Sequence, residues 1–160
     1  MTHTTSRTRS LAHLCNFNGR AREFYSAAQH SCIVAELVPE EHKLAALLYT
    51  AADAYVALID EHPKVRMFVY QHFEELIWQR NCEEFDLPLE PPDCVYQASI
   101  VAMATEYRDL MPTDTAIRDC LIGIEPMNET IHPWSATEAR LTFHQRLMDQ
   151  FAIEHRRKAA

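Results

Sequence analysis

The run Leu47-Leu48-Tyr49-Thr50-Ala51-Ala52-Asp53-Ala54-Tyr55-Val56-Ala57-Leu58-Ile59 decides the fold, because Thr50 and Asp53 are its only strongly polar residues. A helix carrying such a run is apolar almost all round and belongs inside a bundle. Just upstream, Pro39 fits the first-turn position and Glu40 and Glu41 suit the positive N-terminal end. Leu44, Leu47, Leu48, Ala51, Ala54 and Tyr55 then continue the apolar pattern, so a central helix over 39–58 is expected.

Working outward, Ala27, Cys32 or Ile33, Val34 and Leu37 recur at helical spacing behind Ser26, a suitable N-cap, which predicts a helix ending near Val38. After His62-Pro63, the residues Phe68, Val69, Phe73, Leu76 and Ile77 mark a further helix over about 65–84 that should lie against the central one. Leu87-Pro88-Leu89-Glu90-Pro91-Pro92 cannot continue it, since proline lacks the backbone donor and restricts its predecessor. A fourth helix is expected over 93–110, then an irregular stretch over 112–133. Ser135-Ala136-Thr137-Glu138 reads as a capping box opening the last helix, which carries Leu141, Phe143, Leu147 and Phe151. Its basic end, Arg156-Arg157-Lys158, suits a helix C-terminus.

The chain has 160 residues, 48% of them hydrophobic, which fits one globular domain with a real core. It has 2 glycines where average usage gives roughly 11, so tight hairpins are scarce and helices are favoured. The expected class is therefore all-α. A formal charge of -8 opposes binding to nucleic acid, although a few converging cations suffice for a small phosphorylated ligand. Five scattered cysteines without a Cys-x-x-Cys pair read as reduced thiols of a cytoplasmic protein. No apolar stretch has the length of a membrane span or the form of a signal peptide, so no membrane association is expected. The polar, Thr-rich residues 1–12 lack periodicity and read as a mobile tail.

The run Phe17-Asn18-Gly19-Arg20-Ala21-Arg22-Glu23-Phe24-Tyr25-Ser26-Ala27-Ala28-Gln29-His30-Ser31, residues 47–64, Ala104-Thr105-Glu106-Tyr107-Arg108-Asp109-Leu110-Met111 and Ile131-His132-Pro133-Trp134 together resemble the HD-domain phosphohydrolases. More narrowly, the chain is similar to the small phage and bacterial branch that acts on deoxynucleotides. The resemblance covers nearly everything over 14–146 and implies one HD-domain-like bundle over 13–160 with about five main helices. In that family a His on the first helix, a His-Asp pair on the second and a late Asp bind a divalent metal that activates water.

The resemblance places His30 at the first metal position, Tyr49 and Thr50 at the pair, and Ser99 at the late Asp. Three of the four ligands are thus replaced by a phenol and two hydroxyls, poor donors for a divalent ion. Asp53 keeps one supporting acid, whereas the next one expected is Leu58. Substrate-facing features persist: Arg20 and Arg22 match the stretch of phosphate and sugar contacts, and Lys64 matches a basic residue after the second helix. The expected ligand-binding set is Arg20, Arg22, His30, Tyr49, Thr50, Asp53, Lys64 and Ser99, with no catalytic residue, metal or cofactor. His30 also reads as a histidine satisfied between helices, Tyr49 and Thr50 as plugs of the old metal cavity, and Trp134 as a packing residue.

The expected function is that of a catalytically inactive HD-like protein holding a nucleotide or nucleotide-derived signal, with a phage counter-defence role in the host cytoplasm implied by the resemblance. A metal-dependent nucleotide phosphohydrolase with a rearranged site and a structural or regulatory protein-binding subunit are the competing readings. The resemblance also implies a homo-oligomer.

Overall fold

The computed structural model describes residues 2–49, 63–112 and 121–159. Among these residues the architecture is all-α, as the composition and periodicity predict. The helices are α1 (Thr2–His13), α2 (Ala27–Glu36), α3 (Lys43–Tyr49), α4 (Pro63–Phe85), α5 (Asp93–Leu110) and α6 (Ala136–Ala159). Short 3-10 turns lie at Asn16–Gly19 and Glu40–His42.

Helix α2 is the centre of the bundle and packs against α1, α3, α5 and α6. Ser26 starts it in extended conformation, and its side chain accepts a hydrogen bond from the Gln29 N–H at 3.2 Å. The expected N-cap is thus the one used. At α6 the Glu138 N–H likewise reaches the Ser135 hydroxyl at 3.2 Å. The proline-bounded break and the helix over 93–110 also stand where the sequence puts them.

Two expectations need correction. Residues 2–12 do not form a mobile tail; they lie in α1, where Thr8, Leu11 and Ala12 are buried. Those three positions, spaced i, i+3 and i+4, make one narrow buried stripe that docks on α2 and α6, and a stripe so short, with a threonine in it, escapes a search for apolar periodicity. The helix expected from Pro39 begins later. Pro39 keeps an extended backbone with ψ of 154°, a 3-10 turn follows, and α3 proper opens at Lys43.

The connector between α1 and α2 is a clasped loop. Asn16 N–H bonds the Tyr25 carbonyl at 2.7 Å and Ala27 N–H bonds that of Leu14 at 3.0 Å, so the two ends of the loop run antiparallel. Phe17, Asn18 and Gly19 all take positive φ (55°, 51° and 74°). For Phe17 this left-handed conformation costs roughly 1–2 kcal/mol. Packing offsets it, because the ring stacks on Tyr25 at 6.5 Å and meets Tyr107 edge-on at 5.4 Å. The loop then reaches α5, where the Arg22 N–H bonds the Leu110 carbonyl at 2.9 Å.

The connector before α6 is pinned to the end of α5. Arg108 donates to the Met127 and Glu129 carbonyls at 2.5 and 2.8 Å and pairs with Asp109 at 2.7 Å. Asp109 accepts from the Ile131 N–H at 2.9 Å, and the Thr105 hydroxyl accepts from the Met127 N–H at 2.9 Å. Trp134 is half-buried against the core with the Arg146 guanidinium 6.0 Å from its ring centre, a packing residue as expected.

Two measurements test this packing. Leu11→Ala should lower unfolding free energy by about 2–5 kcal/mol, the range for truncating a fully buried leucine; a loss below about 0.5 kcal/mol in urea titrations would remove α1 from the core. The Arg108 guanidinium beside Asp109, helped by the Ile131 N–H, holds the Asp109 carboxyl below its usual range. A depressed carboxylate contributes stability above its unfolded value, near 3.9, and loses it as pH falls through the folded value. Asp109→Asn should therefore be less stable at pH 7 by about 1–2 kcal/mol, with the difference narrowing below about pH 4.

Candidate functional site

Buried polar groups converge where α2 meets α5. Glu106 is fully buried; its Oε1 accepts from the Tyr25 hydroxyl at 2.5 Å and shares a second hydrogen bond of 2.6 Å with the His30 Nδ1. Burial, reinforced by Glu106, pushes the Tyr25 phenol well above its ordinary value, so it stays a donor. Glu106 Oε2 is buried with no hydrogen-bond partner among the described residues.

Ser99 lies two turns before Glu106 on the same stripe of α5, with Val95, Ala102 and Leu110 completing the row. His30 and Ser99 therefore belong to helices that pack on one another. Tyr49 ends α3 half-buried, its ring edge-on to Trp78 of α4 at 6.1 Å, which ties those two helices together. Thr50 and Asp53 lie outside the described residues. Lys64 stands in the first turn of α4, and its side chain is outside the description.

At this junction the His30 Nδ1 is engaged by Glu106. Among the described residues no three His, Cys, Asp or Glu side chains are placed to hold an ion.

The arginines stand elsewhere. Arg20 is exposed at the end of the 3-10 turn. Arg22 borders a cleft of about 400 Å³ together with Tyr107, Arg108, Met111, Leu121 and Ile122. Ala104, Tyr107, Arg108 and Met111 lie roughly 100–200° around the α5 axis from Glu106, at about 100° per residue. The cleft therefore opens on the face of α5 opposite the His30–Glu106 pair. Arg108 is consumed by Asp109 and two carbonyls, whereas the Arg22 guanidinium has no hydrogen-bond or ion-pair partner among the described residues.

Sequence reasoning missed Tyr25, Glu106 and the Tyr107–Ile122 cleft walls as site components. Glu106 carried a usable signal, a carboxylate on a row otherwise made of the uncharged Val95, Ser99, Ala102 and Leu110. The cleft carried none, because its far wall comes from an irregular segment. Cys15, Cys32, Cys82 and Cys94 are free thiols, and burial pushes Cys32 up to about 12, leaving it an inert core residue.

No known protein family profile matches the chain. The chain is similar to YfdR, an uncharacterized protein of Escherichia coli (strain K12), with 36% identity over 115 residues. The match covers 72% of this chain and spans 65% of the length of YfdR.

Proposed function

We propose that the protein binds a nucleotide or nucleotide-derived molecule without a metal and without hydrolysing it. The observation that carries this reading is the Arg22 guanidinium, without a hydrogen-bond or ion-pair partner among the described residues, at the edge of a largely apolar cleft of about 400 Å³. That volume falls within the range of small-molecule sites, which combine an apolar lining with a few placed polar groups. Arg22 offers a bidentate, charge-assisted contact to one phosphate, and Tyr107 with the aliphatic wall offers an apolar surface for a base.

The reading draws its ligand class from the resemblance to HD-domain nucleotidases. It draws the absence of turnover from chemistry. The described residues lining the cleft include no carboxylate, imidazole or thiol to move a proton, and the His30–Glu106 pair lies across α5. Holding without cleavage suits sequestration of a nucleotide signal, the role expected of a phage protein acting against a bacterial defence.

Isothermal titration with adenosine monophosphate, deoxynucleotides, cyclic nucleotides and adenosine-diphosphate-ribose should reveal binding by at least one. Arg22→Gln should weaken it about tenfold or more, about 1.4 kcal/mol. No phosphate or nucleoside should be released with or without added divalent ions. Silence across the whole set would overturn the reading, and chelator-sensitive phosphate release lost in His30→Ala would restore the phosphohydrolase.

A further inference from the structure

Between α5 and α6 the described connector has two unlike halves. Residues 127–131 are held to α5 by Thr105, Arg108 and Asp109 through four hydrogen bonds already described. Among the described residues, residues 121–126 have no such tie. Among the described residues their one hydrogen bond is internal, from the Ile124 N–H to the Leu121 carbonyl at 3.1 Å. The turn rests on Gly123 at φ of 87°, a conformation that costs glycine little. Ile122 stands at its tip, 78% exposed, more than any other large hydrophobic residue described, and it belongs to the lining of the Arg22 cleft.

A singly exposed isoleucine needs no explanation in general. This one continues an apolar surface formed by Met111, Leu121 and Ile124, with the Arg22 charge on the same cleft. Its exposed area is hydrophobic contact not made in the protein alone and available to a ligand lying beneath it.

We propose that Ile122 determines ligand specificity: its side chain grips the base while Arg22 holds the phosphate. This rests on the nucleotide-binding reading and deepens it, since it assigns recognition of the base and of the phosphate to separate residues. A ligand that lacks a base gains nothing from Ile122.

The test compares adenosine monophosphate with ribose 5-phosphate by isothermal titration on the full chain. Ile122→Ser should weaken adenosine monophosphate about tenfold and leave ribose 5-phosphate within about twofold, whereas Arg22→Gln should weaken both. Ile122→Leu should restore most of the lost affinity, and its exposed position keeps these variants folded. If Ile122→Ser binds both probes as the wild type does, or loses both equally while Arg22→Gln behaves as stated, the assignment of Ile122 falls and nucleotide binding stands. If the wild type binds neither these probes nor any other nucleotide, both fall.

Discussion

Nine consecutive residues of α2 are buried, and three of them, Gln29, His30 and Ser31, are polar. A helix can be placed at the centre of a bundle only if such groups find partners there, because an unpaired buried polar group costs several times what a typical hydrogen bond contributes. Each of the three is met differently. Ser31 bonds its own helix at the Ala27 carbonyl, 3.0 Å away. His30 reaches across to Glu106 on α5. Gln29 donates to the His132 carbonyl and accepts from the Trp134 N–H, both at 2.8 Å, fixing the chain just before α6. The polar residues of one helix thereby set where two other elements must lie.

Helix α5 works in two directions. One row, with Glu106, closes the interior against α2. The opposite side, through Tyr107, Arg108 and Met111, makes the floor of the cleft that Arg22 borders. The left-handed turn at Phe17, Asn18 and Gly19 brings Arg22 to the end of that helix, so backbone strain in the connector has a positional result. The interior side supplies rigidity and the outer side supplies a surface.

Most of the helical plan was legible in the sequence because its signals are local. Ser26 and Ser135 are caps, and the prolines from Pro88 to Pro92 forbid a helix; neither depends on distant contacts. Helix α1 was not legible, since three small or apolar positions identify a buried stripe only when α2 and α6 are already in place. The candidate site divides along the same line. The resemblance singles out His30 and Ser99 along the chain, while the carboxylate that His30 meets is 76 positions away and the separation of Arg22 from it depends on helix rotation. Resemblance ranks residues along the chain; it does not report which side of a helix they serve.

The pairing of α1 with α6 also bears on how the chain reaches its fold. The first helix is made early, yet one of its two packing surfaces is more than 120 residues downstream. Loop closure over such a span is slow compared with the local winding of helices. During synthesis α2 through α5 can assemble while Leu11 and Ala12 wait for α6 to emerge. Completion of the bundle thus joins two helices far apart in sequence.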